Sequence, residues 1–164
     1  MSDETFSQFS KRNGARVYNY ILRMVRHRED AEDITQEVFL AVYEKYDGII
    51  PEARDAYLFR AAYNKVVNYS KARGRSPEVQ QETFEEPCQE TDTDEEALQR
   101  TRNHNIREAL ARLNENERAA IDLKYFQKMD YRNIADVLDV TPAAVDSLLI
   151  RAKRKLKKII AQDS

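Results

Sequence analysis

The chain has no tryptophan, one cysteine, three glycines and four prolines in 164 residues. So little glycine and proline argues against a loop-rich β fold, and the long runs of Ala, Glu, Arg, Lys and Leu favour helix. The lone Cys88 excludes an internal disulfide framework and suits a reducing, cytoplasmic setting. It sits among acidic residues, which disfavour a reactive thiolate. No apolar run approaches the length of a membrane span, and the acidic N-terminus, MSDETFSQ, is unlike a secretory leader. His27 and His104 stand far apart among charged residues, without metal-ligand spacing, and no glycine-rich phosphate loop appears. The expectation is a protein that is not an enzyme, with no cofactor, no metal and no catalytic residue.

The net charge of −2 divides unevenly along the chain. Residues 1–76 hold thirteen basic and eleven acidic groups, leaving +2; residues 100–164 hold fourteen and nine, leaving +5. Residues 77–99 carry nine acids and no base, which gives −9. That segment, PEVQQETFEEPCQETDTDEEALQ, has few apolar residues and cannot bury enough surface to offset chain entropy. It is expected to be a flexible acidic linker, residues 76–98, between domains at 1–75 and 99–164. The fold class expected is all-α: two small helical domains on a tether.

The most informative stretch is YRNIADVLDVTPAAVDSLLIRAKRKLKKII, Tyr131–Ile160. Ile134, Ala135 and Leu138 recur at helical spacing until Asp139-Val140 interrupts them, and Asp tolerates the left-handed backbone that a tight turn needs. Thr141 can cap a new helix and Pro142 fits its first turn. In that second helix Val145, Leu148, Leu149, Ala152, Leu156 and Ile159 make an apolar stripe. Ala143, Ser147, Arg151, Arg154 and Lys158 lie opposite, small and polar first, then cationic. A helix with a slim start and a basic flank is what a DNA major groove accepts, so the pattern reads as a helix-turn-helix.

In the N-terminal part, three or four helices fit residues 3–73. Ala15–Val25 puts Val17, Ile21 and Met24 on one face. Glu29–Tyr46 opens with acids suited to a helix N-terminus and turns Ala31, Ile34, Val38, Ala41 and Val42 inward. Its other face holds Asp33, Gln36, Glu37, Leu40, Tyr43 and Glu44. Asp47-Gly48 ends that helix. Ala53–Arg73 then interleaves Tyr57, Phe59, Tyr63 and Tyr69 with Arg60, Lys65, Lys71 and Arg73, and sets Asn64 and Asn68 one turn apart. Aromatics among cations and amides suit unpaired bases, which stack on rings while cations hold phosphate. Spacing alone leaves open the other reading, in which the rings are core and the cations a solvated face.

Over residues 6–75 and 100–160 the chain resembles bacterial RNA polymerase sigma factors of the extracytoplasmic-function group of the sigma-70 family. DAEDITQEVFLAVYEKYDGI, Asp30–Ile49, resembles the family's core-binding helix. AYLFRAAYNKVVNYSKARGR, Ala56–Arg75, resembles its minus-10 helix, and Ala109–Leu156 resembles its minus-35 module. Three motifs in the family's order make the signal specific.

The resemblance implies that Asp33, Gln36, Glu37, Phe39 and Tyr43 grip the coiled coil of the polymerase largest subunit. It implies that Asn64, with Asn68 and the loop Asp47–Arg54 nearby, meets a flipped minus-10 base, and that Tyr57 stands where the family commonly has tryptophan. Arg60, Lys65, Lys71, Arg73 and Arg75 would neutralise phosphate. Lys124, Thr141, Ala143, Ala144, Ser147, Arg151 and Arg154 match or adjoin positions that approach the minus-35 duplex. Asp146 and Leu148 depart from the family, which is usually basic at both; Asp146 could accept from a cytosine amino group but is repelled by phosphate, and Leu148 falls on the apolar stripe. Implied partners are the polymerase core (coiled coil and flap), promoter DNA and an anti-sigma factor. The linker would thread polymerase near the RNA path, as an RNA mimic or as a merely soluble tether. A free-standing helix-turn-helix regulator would need a dimerisation helix that is not evident. A sigma mimic that binds only an anti-sigma factor would usually carry a receiver domain, for which there is no room.

Overall fold

The computed structural model describes residues 3–73 and 105–162, which are helical with no strand among them. The expected linker at 76–98, Cys88, His104 and Arg75 lie outside the described residues.

Helix α1 spans Phe6–Val25 and starts nine residues earlier than the apolar spacing suggests. Its start is set by a capping box: the Thr5 side chain accepts from the Gln8 amide while Gln8 reaches back to the Thr5 backbone. Arg26, with φ 59°, ends it in the left-handed region. Helix α2, Arg28–Lys45, is capped by His27, whose Nδ1 accepts from the Asp30 amide. Glu29 and Asp30 in its first turn face the positive end of the helix dipole. Two short 3-10 turns, Tyr46–Gly48 and Pro51–Ala53, lead into α3, Arg54–Ala72. The three helices pack on one another around Phe9, Val17, Tyr20, Ile21, Val38, Val42, Leu58, Phe59 and Ala62, all fully buried.

The second module contains a helix over residues 105–111 (α4) and α5, Glu115–Ile121, which has its own capping box between Asn114 and Glu117. A π-helical turn, Asp122–Phe126, follows directly. Helix α6, Tyr131–Leu138, is capped by Asp130 and ends at Asp139, whose φ of 57° is the left-handed turn residue expected. Helix α7 runs Pro142–Gln162, with the Thr141 hydroxyl accepting from the Ala144 amide at 3.1 Å. Val145, Leu148, Leu149 and Ala152 are buried against the module, while Leu156 and Ile159 are half-buried.

The two modules are not held apart: α3 lies along α6, and the buried residues of both form one continuous cluster. The seam between them is more polar than either core. Arg23 on α1 pairs with Asp122, whose carboxylate is almost completely buried. Arg118 donates to the Met24 carbonyl at 3.0 Å and also to the carbonyls of Leu110, Ala111 and Leu113. Tyr63 donates to Asn116, Ser70 to Glu115 at 2.9 Å, and Arg16 to Gln127 at 3.2 Å. The fully buried Tyr20 hydroxyl has no partner among the described residues, and burial, reinforced by Asp122, pushes its pKa well up.

Candidate nucleic-acid interface

Helix α7 presents Ala143, Ser147, Arg151 and Arg154 exposed, as the stripe opposite its core. Thr141 is exposed at the tip, and Ala144 is half-buried. At 100° per residue, Ala143, Ser147 and Arg154 fall on one line along the helix, with Arg151 beside it. Arg151, Arg154, Lys157 and Lys158 have no acidic partner among the described residues. Leu148 is core, 8% exposed, so its departure from the family's basic residue follows from packing. Asp146 lies a quarter turn off the Ser147 line. Its carboxylate faces the Tyr131 hydroxyl at 3.4 Å, and it adds to the field that raises the pKa of Lys153, which is held mainly by Tyr125. The Lys124 ammonium sits 5.2 Å from the Tyr131 ring, on the flank and outside the stripe. One residue of this face was missed in the sequence: Ile150, 49% exposed, sits on the outward side between Ser147 and Arg154. Helical phase alone could have placed it there.

On α3, Arg60, Asn64 and Asn68 recur every four residues and are all exposed, followed by exposed Lys71 and Arg73. Lys65 is half-buried and lies 3.9 Å from the Glu37 carboxylate; Arg73 pairs with Asp30 at 2.9 Å. The rings settle the question left open by spacing. Phe59 is fully buried against Tyr20, and Tyr57 is half-buried on the same cluster. Tyr63 and Tyr69 spend their hydroxyls on Asn116 and Asp30. These rings are packing groups, and a row of open stacking platforms is not present on α3. What it offers outward is amides and cations.

The outer face of α2 exposes Asp33, Gln36, Glu37 and Tyr43, with Leu40 66% exposed and Phe39 half-buried. The sequence reading missed Phe6, whose ring meets Tyr43 edge-on at 5.0 Å and Phe39 at 6.4 Å. The Thr5-Gln8 capping signature was the available clue, since it starts α1 at Phe6 and aims that ring at α2. The loop Asp47–Arg54 ends on a buried cation: Arg54 lies 4.0 Å over the Tyr46 ring and pairs with Asp3.

The second module also opens an apolar cleft of about 330 Å³ between α4, α5 and α7, lined by Ile106, Leu110, Ile121, Tyr125, Phe126 and Leu156. The π turn puts Tyr125 and Phe126 at its rim, both nearly half exposed. Periodicity could not reveal it, because a π turn shifts the phase of the residues that follow. Among the described residues no cluster of His, Cys, Asp or Glu could hold a metal ion, and no helix is long and apolar enough to cross a membrane.

Two family models match the chain: sigma-70 region 2 over residues 9–76 and sigma-70 region 4 over residues 103–156. The RNA polymerase sigma-H factor of Pseudomonas aeruginosa is 26% identical over 155 residues, covering 88% of this chain and 80% of its own length. The RNA polymerase sigma factor YlaC of Bacillus subtilis is 27% identical over 157 residues, covering 87% and 84%. The ECF RNA polymerase sigma-E factor of Haemophilus influenzae is 26% identical, covering 96% and 88%. In fold, the chain is similar to the sigma factor RpoE of Bartonella quintana, solved with the anti-sigma factor NepR. The TM-score is 0.77 at 19% identity, over 97% of this chain and 98% of that one.

Proposed function

Because the chain belongs to the sigma-70 family of bacterial RNA polymerase sigma factors, in its extracytoplasmic-function group, we propose that its two outward helix faces read the two promoter elements in that role. The protein is a sigma factor: it joins RNA polymerase and directs initiation at particular promoters. The family is not a class of enzymes, and selectivity comes from contacts. The observation that carries the residue assignment is the pair of exposed polar stripes, Arg60-Asn64-Asn68 on α3 and Ala143-Ser147-Arg151-Arg154 on α7.

Asn64 and Asn68 offer donor and acceptor together and can read base edges once the minus-10 strand unstacks. Arg60 and Lys71 take the phosphates beside them, Lys65 and Arg73 do so only if they leave Glu37 and Asp30, and Tyr57 buttresses the helix. On α7, Thr141, Ala143 and Ala144 allow the helix start to approach the minus-35 groove closely. Ser147 and Arg151 reach base edges, while Arg154 and Lys124 take flanking phosphate. Asp33, Gln36, Glu37, Phe39 and Tyr43 meet the polymerase coiled coil, with Phe6 fixing the two rings. The apolar cleft rimmed by Tyr125 and Phe126 suits an apolar segment of the polymerase flap. A cytoplasmic location follows from that partner.

Domain limits at 1–75 and 99–164, with a tether at 76–98, fit the task of spanning. Two elements two helical turns apart need about 70 Å, at about 34–36 Å per turn, and a tether of that length reaches at most roughly 80 Å. With α3 packed along α6 the two modules are held against each other, so engaging elements that far apart calls for the seam to part. An anti-sigma factor, such as the one bound to the similar Bartonella sigma factor, would act on this chain by holding the modules from promoter and polymerase.

In vitro transcription with bacterial core polymerase and a genomic promoter pool tests the reading. Start sites that appear only with this chain, and share a two-part upstream motif, are the expected result. If start sites are identical with and without the protein, the reading is wrong.

A further inference from the structure

We propose that Ile150 is a specificity residue of α7 that reads the 5-methyl group of one thymine in the minus-35 element. The proposal rests on the reading above that α7 lies in the major groove. Single exposed aliphatic residues are common on protein surfaces, so exposure alone says little. Position is what distinguishes Ile150. It is 49% exposed on the outward side of α7, one turn beyond Ser147 and one turn before Arg154. Ala143, Ser147, Ile150 and Arg154 succeed one another along the same side, so a groove that accepts Ser147 and Arg154 must also receive the isoleucine between them. On this side the residues before it, Ala143 and Ser147, are small, which lets the helix start sit deep.

What Ile150 can meet there is limited. A major groove displays acceptors, amino donors and one apolar group, the thymine methyl. A branched aliphatic chain makes no hydrogen bond. Against a cytosine or adenine amino group it would strip water and return nothing, which is costly. Against thymine it covers a methyl and loses no hydrogen bond. Ile150 therefore selects in two ways, by attraction to thymine and by rejection of an amino group at the same place. Asp146, the other candidate reader near this point, is turned aside toward Tyr131, which leaves the position to the isoleucine.

The test uses holoenzyme assembled from core polymerase and the full chain, on a promoter recovered from the pool. Each thymine of the minus-35 element is replaced singly by deoxyuridine, which removes the methyl and keeps the pairing. With the natural chain, one position should lose about fourfold in promoter binding, the transfer value of one methyl group. With Ile150→Ala the same replacement should change nothing, and Ile150→Val should fall between, since it keeps the branch. Changing that thymine to cytosine should cost about tenfold or more with the natural chain. If no thymine shows this dependence on residue 150, or if the recovered elements hold no thymine within reach of α7, Ile150 is an ordinary surface residue. If holoenzyme shows no dependence on any upstream element, the minus-35 role itself falls. The two failures are thus separable.

Discussion

Helices α3 and α7 both carry cations, and α3 commits more of its own to acids: among the described residues only its exposed Arg60 and Lys71 lack an acidic partner. On α3, Arg54 is buried against Tyr46 and Asp3, Lys65 lies beside Glu37, and Arg73 is paired with Asp30. On α7, Arg151, Arg154, Lys157 and Lys158 have no acidic partner among the described residues. A face with fewer unspent cations adds less by charge and depends more on shape and on its amides. A face with unspent cations draws on counterion release from a duplex and is sensitive to salt. The division matches an unpaired strand for α3 and a double helix for α7.

The seam adds a second asymmetry. α3 gives Tyr63 and Ser70 to contacts with α5, whereas the outward stripe of α7 takes no part. Arg23→Ala should break this difference and is the largest effect expected. It leaves the Asp122 carboxylate buried with only Gln127 as neighbour, at a cost of about 3 kcal/mol to the closed packing. Small-angle scattering of the free protein should then show a longer particle, with the circular dichroism spectrum still helical. An unchanged scattering profile would mean that the apolar contacts of α3 with α6 hold the modules by themselves.

Asn64→Ala comes next. If α3 selects by amides, losing one should lower open-complex formation by about tenfold to a hundredfold, the span of one good base contact, and leave binding to a closed duplex unchanged. Permanganate footprinting beside filter binding separates the two. Equal losses in both assays would place Asn64 on the duplex backbone instead.

The third prediction sharpens the charge contrast. Arg154→Ala should reduce the slope of log affinity against log salt by about one, because an unpaired cation gives up a full phosphate contact. Lys65→Ala should change it by less, since Glu37 already balances that ammonium. Glu37→Gln should steepen the slope by freeing the lysine. A Lys65 effect as large as that of Arg154 would show that the Glu37 pair does not persist on DNA.

Much of this was legible in the residues. Asp139 and Thr141 announced the turn of the helix-turn-helix through their own backbone and capping chemistry, which is local and needs no partner. The apolar stripe of α7 followed from spacing, and so did the burial of Leu148. The seam was not legible, because Arg23 and Asp122 are ninety-nine positions apart and neither lies in a pattern that names the other. The rings of α3 were ambiguous for a related reason. Tyr63 and Tyr69 stand at spacings that serve a core or a platform equally, and only Asn116 and Asp30, far off in sequence, decide for packing. Phe6 was overlooked although Thr5 and Gln8 marked its helix start, since apolar spacing is weak in that first turn.

The smallest effect concerns the front of α3, where acid should loosen the hold on Arg54. Asp3 is kept below the ordinary carboxylate range by its hydrogen bond from Arg54, and Glu4 by its hydrogen bond from Arg12. Folded pKa values lowered in this way give stability that is complete above the unfolded values. That stability is lost as pH falls through the ordinary range into the lowered one. Asp3 is exposed and Glu4 half-buried, so screening keeps the contribution small. Acidification should thus release residues 3–5 before it melts the helices, raising amide exchange at Gln8, whose N–H depends on the Thr5 cap. Arg54 would then lose its pairing with Asp3 and keep only the Tyr46 ring, a buried cation added to the Arg60 and Lys71 that α3 already leaves without an acidic partner. Exchange at Gln8 that stays constant from neutral pH down to the onset of global unfolding would show that the capping box and the Tyr46 hydroxyl bond to the Glu4 carbonyl hold the segment without the carboxylates.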